Sequence, residues 1–122
     1  MTTIVGKIAP DFTLEVVTGE KIAKVSLVSS RGKWTVMFFY PLDFTFICPT
    51  EITAFSKHYD EFEKLNAVAL GVSTDSVHAH KAWLKELGVL RYPLLSDMTH
   101  EVSRNYGVLI EEQGTALRGT FI

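Results

Sequence analysis

The sequence predicts an α/β protein, a mainly parallel sheet with helices against it and an antiparallel pair of strands at its end. Three observations carry this. Two continuous apolar runs, WTVMFFY at 34–40 and VALGV at 68–72, read as strands buried on both faces, the pattern of a parallel sheet. After each run, apolar residues recur at steps of three and four, as they do on the buried face of a helix. Strands and helices therefore alternate, an order that implies right-handed crossovers between parallel strands.

The elements follow in turn. Residues 12–17 and 21–28 have β-type composition on either side of Thr18-Gly19-Glu20, which predicts an N-terminal hairpin ahead of the main fold. Residues 34–40 form the central strand. Beyond the loop from Pro41 to Cys48, the residues Ile52, Phe55, Tyr59, Phe62 and Leu65 trace one face of a helix. Residues 68–72 form the next strand. A second helix carries Val77, Leu84 and Leu87 on one stripe and ends at Gly88. Leu94 and Leu95 mark a short strand, and Thr99 is the expected cap of a brief helix through Tyr106. Residues 108–110 and 117–122 are expected to pair antiparallel across Gly114. The chain stops inside the apolar run 119–122, which reads as a truncated chain.

Composition narrows the function. The 122 residues suit one domain spanning 1–122, and 47% hydrophobic against 21% charged residues is the balance of a globular protein. A net charge of −2, with no run of Lys or Arg, gives no general attraction to nucleic acid or anionic membranes, so neither is an expected partner. The first residues lack the basic start and apolar core of a secretory signal, and no segment reaches the ~18 apolar residues of a membrane span. Cys48 is the only cysteine, so the chain makes no internal disulfide; a lone thiol suits a reducing compartment, and the cytoplasm is the expectation.

The segment YPLDFTFICPTE at 40–51 lies between a buried strand and an amphipathic helix, where open α/β sheets place their ligands. Pro49 suits a first helical turn and puts Cys48 at a helix N-terminus. Unpaired backbone N–H groups and the helix dipole favour an anion there, and the thiolate is the reactive form of cysteine. Position alone leaves a second reading open, a small buried cysteine with no chemistry.

The spacing Pro41-x-x-x-Thr45-x-x-Cys48 resembles the active-site motif of the peroxiredoxins, and the longer string around it is similar to their AhpC-type, typical two-cysteine branch. The likeness runs from Ala9-Pro-Asp-Phe12 through Val72-Ser-Thr-Asp75, Trp83 and Tyr92-Pro-Leu-Leu-Ser-Asp97 to Leu117-Arg-Gly-Thr-Phe-Ile122, nearly the whole chain. The resemblance implies a thioredoxin-like fold with an N-terminal β-hairpin extension, without its final strand and helix. It also implies a thiol-dependent peroxidase that reduces hydrogen peroxide or organic hydroperoxides through a sulfenic acid at Cys48, without metal or organic cofactor. A thioredoxin-like thiol would be the reductant, and a homodimer or larger homo-oligomer the assembly.

Roles carry over residue by residue. The resemblance has Thr45 bonding the thiolate and the peroxide, Pro41 shielding the sulfur, Arg118 stabilising thiolate and leaving oxygen, and Glu51 orienting a guanidinium. Singly, each has a plainer reading: Thr45 a turn residue, Pro41 a strand terminator, Arg118 a solvated strand residue, Glu51 an acid favoured in a first helical turn. Together they require several coincidences. Two departures stand out: there is no second, resolving cysteine, and residues 87–93 lack the Gly-Gly-Leu-Gly insertion of easily over-oxidised forms. The rival expectation is a non-catalytic thioredoxin-like fragment or chaperone-type interaction protein.

Other features carry no site. His78 and His80 are two apart and diverge on a helix, and His80 falls on the Val77 and Leu84 stripe, as a core histidine satisfied by a neighbour does. His58 and His100 are isolated. No metal is expected, and the absence of a glycine-rich phosphate loop leaves nucleotide binding unsupported.

Overall fold

The computed structural model describes residues 4–19, 21–44, 48–88 and 90–122, with Cys48 and Pro49 described in their backbone only. Strands β1 (Thr13–Thr18) and β2 (Lys21–Ser26) pair antiparallel as the expected hairpin, and Gly19 takes the left-handed φ of 62° in its turn. A 3-10 turn over Leu27–Ser30 leads to β3 (Trp34–Phe39). Then come α1 (Cys48–Lys57), α2 (Tyr59–Lys64), β4 (Ala67–Ser73), α3 (Val77–Leu87) and β5 (Leu94–Ser96). The chain finishes with α4 (Glu101–Asn105), β6 (Leu109–Ile110), β7 (Thr115–Ala116) and β8 (Gly119–Phe121).

One six-stranded sheet has the order β2-β1-β5-β4-β3-β8, with β3, β4 and β5 parallel, β1 and β8 antiparallel to them, and β2 antiparallel to β1; β6 and β7 form a separate pair. Side chains alternate across β3, and this divides the core in two. Met37 and Phe39 join Leu70, Val72, Leu95 and Val102 on one face. Phe38 and Tyr40 join Ile52 of α1, Tyr59 of α2, Trp83 of α3 and Leu94 on the other. Both faces are covered, which is why 34–40 and 68–72 carry unbroken apolar runs. Among the described residues no helix is long and apolar enough to cross a membrane.

Gly71 marks where the helical face is tightest. A Cβ there would stand 2.9 Å from Leu94 Cδ2 and 2.9 Å from Phe38 Cζ. Gly71→Ala is therefore expected to cost about 1–3 kcal/mol through overpacking, read as a lower urea midpoint at unchanged slope. A midpoint equal to the parent's would show that Leu94 and Phe38 yield without cost.

Three expectations need correction. The predicted helix through Leu65 is two helices, because His58 leaves helical dihedrals (φ −98°, ψ 14°); Ile52 and Tyr59 still share the buried face, but Leu65 is exposed at the end of α2. Thr99 does not cap α4. His100 takes a left-handed φ of 67° ahead of that helix, and the buried carboxylate of Asp97 accepts from Val102 N (3.2 Å) and Ser103 N (2.7 Å). One acceptor pair thus satisfies two of the four unpaired N–H groups at the helix start. Finally, of 117–122 only Leu117 bonds to 108–110 through its backbone, donating its N–H to Val108 O at 2.6 Å. β6 pairs with β7, and β8 adds to the open side of β3, where the Phe121 ring meets Phe39 at 5.7 Å and Tyr106 at 5.3 Å. Burying that ring against the core decides the pairing.

Candidate active site

The loop joining β3 to α1 begins where the parallel strands present their carboxyl ends. Tyr40, fully buried, continues β3 by donating its backbone N–H to Val72 O at 3.0 Å. Pro41 follows, half-buried at the start of the loop. Helix α1 starts at Cys48, as Pro49 predicts, with Glu51 in its first turn. Thr45 lies outside the described residues, as does the Cys48 side chain, so the expectations for its sulfur and for the Thr45 hydroxyl fall there too.

Contacts on its inner face hold α1 to the sheet. Ile52 is fully buried, Phe55 stacks on Phe38 with ring centres 4.4 Å apart, and the Tyr92 hydroxyl donates to Ile52 O at 2.6 Å. Burial raises the Tyr92 phenol far above its ordinary range, so this donor keeps its proton.

Arg118, between β7 and β8, reaches that same first turn. Its Nη1 donates to Glu51 Oε2 at 2.7 Å, a pair that remains partly exposed. Both line a cleft of about 320 Å³ with Phe38, Phe39, Phe55 and Thr120. The structure thus joins two of the expected site residues, Arg118 and Glu51, across 67 positions of sequence. The pair places a cation beside the helix that starts at Cys48, with its fork oriented by a carboxylate.

Behind the loop lies a polar network that sequence reasoning did not assemble. The Tyr40 hydroxyl donates to Asp43 Oδ1 at 2.7 Å, His80 Nδ1 lies 2.7 Å from Asp43 Oδ2, and His80 Nε2 lies 2.9 Å from Leu95 O. Asp43 N donates to Asp75 Oδ2 at 2.9 Å, and that oxygen also accepts from Ser73 Oγ at 2.7 Å. His80 is a core histidine satisfied by neighbours, as its place on the α3 stripe suggests. Asp43 and Asp75 stand inside the quoted motifs but give no sign in the sequence that they share one site. Burial, then the charge of Asp43, holds the Tyr40 phenol well above its ordinary range, which keeps it a donor.

Asp43, Asp75 and His80 offer ligand atoms within 4.8 Å of one another, the one such trio among the described residues. Those atoms already bond one another, Ser73, or the loop backbone, and a cation would have to displace these bonds. Next to Asp43, Phe44 takes a left-handed φ of 61°, which costs a non-glycine residue about 1–2 kcal/mol. Its ring lies 6.0 Å from Trp83 of α3.

Comparison with known proteins gives this arrangement its family. The sequence profile of the AhpC/TSA family matches residues 5–122. The Bacillus subtilis protein YkuU, named as a peroxiredoxin, is 60% identical over 98% of this chain and 71% of its own length. The thioredoxin peroxidase of Echinococcus granulosus is 51% identical over 100% of this chain and 66% of its own. The chain spans about half, 48%, of the spinach chloroplast protein 2-Cys peroxiredoxin BAS1, to which it is 55% identical. Among solved structures, the reduced 2-Cys peroxiredoxin of Plasmodium vivax superposes with a TM-score of 0.90 at 41% identity, covering 97% of this chain and 77% of that one. With its family profile matched almost end to end and its fold shared, the chain belongs to the AhpC/TSA family, the peroxiredoxins.

Proposed function

We propose that the chain is a thiol-dependent peroxidase in which Cys48 reduces hydrogen peroxide or small organic hydroperoxides. The observation that carries this is the Arg118–Glu51 pair at 2.7 Å, set against the first turn of the helix that begins at Cys48. A fixed guanidinium there favours both the thiolate and the charge that grows on the departing oxygen.

The Cys48 thiolate attacks one peroxide oxygen and the O–O bond breaks. Sulfur gives up two electrons and becomes sulfenic acid; the other oxygen leaves with the electron pair and, once protonated, is water or an alcohol. Thr45 supplies a hydroxyl that donates to and accepts from the reacting oxygens, and Pro41 keeps bulk water from the sulfur. A thiol then condenses with the sulfenic acid, releasing water, and a second thiol reduces the resulting disulfide. A thioredoxin-like dithiol supplies both, as the name of the Echinococcus relative indicates for that protein. The chemistry needs no metal and no organic cofactor. Neither nucleic acid nor membrane is a partner, the assembly is a homodimer or larger homo-oligomer, and the setting is the reducing cytoplasm.

The non-catalytic alternative has no feature of the described site in its favour. Peroxide consumption in the presence of dithiothreitol separates the two readings: the parent chain turns over and Cys48→Ser does not. Equal consumption by both would remove Cys48 from the reaction.

A further inference from the structure

We propose that His80 is a positioning residue for this reaction: acting through Asp43, it clamps the loop that delivers Cys48. The proposal rests on the reading of Cys48 as the nucleophile, and its own support is the buried geometry behind the loop.

Asp43 lies five residues before Cys48 and is held from three directions. Tyr40 donates to one carboxylate oxygen, His80 bonds the other, and Asp75 accepts from the Asp43 backbone N–H. The His80 and Asp43 side chains are 0% and 1% exposed. The imidazole is fixed in turn, because Leu95 O can only accept and Nε2 therefore carries a proton toward it. A proton between Nδ1 and Oδ2 completes the pair. The ring cannot swing away without leaving a buried carboxylate and a buried carbonyl short of partners.

The next residue shows what the clamp resists. Phe44 is bulky yet left-handed, a conformation that persists only where its surroundings impose it. Trp83 meets the Phe44 ring, and Trp83 and His80 are three residues apart on α3, on one face of the helix. α3 therefore grips two successive loop residues, one by hydrogen bond and one by ring contact. The far end is fixed as well, by the burial of Ile52 and by the bond from Tyr92. The described residues on both sides of Cys48 are thus pinned, which favours one presentation of its thiol to a peroxide.

Two rates test this in single turnover. Oxidation of reduced Cys48 by hydrogen peroxide depends on how the peroxide is oriented; alkylation by iodoacetamide depends on the thiolate alone. In Asp43→Asn/His80→Gln, which leaves an amide at each place and no lone buried charge, peroxide oxidation is expected to fall about 10–100-fold while alkylation stays near the parent rate. A peroxide rate equal to the parent's, or an equal fall in both rates, overturns the clamp. If the double variant does not fold, Tyr40→Phe strips one donor from Asp43 and keeps the ring, and the same separation of rates decides. Failure of the parent itself to react with peroxide sinks the reading of Cys48 instead, and with it the clamp.

Discussion

Arg118→Ala is expected to slow the oxidation of Cys48 by peroxide about 10²–10³-fold, equivalent to ~2.7–4 kcal/mol of transition-state stabilisation. The fold should survive. Arg118 and Glu51 form a partly exposed pair, and such pairs contribute ~0–1 kcal/mol to stability because water screens them and two long side chains must be ordered. On the proposed reading the same guanidinium counts for more toward the reaction, since its bond to Glu51 would hold it ready for the charge that grows on the leaving oxygen. Glu51→Gln keeps the guanidinium but loses the charge that aims it, so its rate should lie between those of parent and Arg118→Ala. Stopped-flow oxidation of the reduced proteins checks both. An Arg118→Ala rate equal to the parent's would show that the pair is only a surface contact.

The second large effect is on stability. His80→Ala removes the partner of a carboxylate with 1% exposure and should cost about 3–5 kcal/mol, because the charge of Asp43 stays buried without its pair. That is a large share of the ~5–15 kcal/mol that holds a typical domain together. Asp43→Asn/His80→Gln removes the charge with the partner and should lose distinctly less. The two losses are read from urea unfolding. A single variant no less stable than the double would show that Asp43 does not depend on His80.

What the sequence makes legible follows from which interactions are local. Residues 37–40 and 69–72 are buried on both faces of the sheet, with Trp34 exposed at the start of β3, so the composition of the two runs alone marks β3 and β4. Pro49 marks the start of α1 because its ring suits that turn and no other. The placement of β8 is not local. Residues 117–122 would suit several partners by composition, and burial of Phe121 beside Phe39 and Tyr106 selects β3. The same holds at α4, where Thr99 has the chemistry of a cap and Asp97 has the position.

The site divides in the same way. Pro41, Thr45 and Cys48 lie within one short motif and can be picked out together. Arg118 is tied to it by resemblance, and its bond to Glu51 needs the fold. Asp43, Asp75 and His80 come from a loop, the bend between β4 and α3, and α3 itself, and nothing in their spacing says that they meet. Of His80 the sequence indicates burial and no more.

The central claim is that peroxide acts on Cys48 and makes a sulfenic acid there. Reduced chain, free of added thiol, titrated with hydrogen peroxide and followed by intact-mass spectrometry and a non-reducing gel, tests it most directly. The first equivalent should be consumed quickly, add one oxygen atom to Cys48 and leave a species that dithiothreitol returns to the thiol. This chain has no second thiol to form an internal disulfide, so turnover should then stall, and excess peroxide should slowly carry the cysteine to sulfinic acid, beyond the reach of dithiothreitol. Disulfide-linked dimer should be minor, because a cysteine in the first turn of a helix, shielded as the proposed role of Pro41 requires, would not readily bring its sulfur within the ~2.05 Å of a second one. No oxygen on Cys48 after the first equivalent, or quantitative dimer disulfide in its place, would contradict the account.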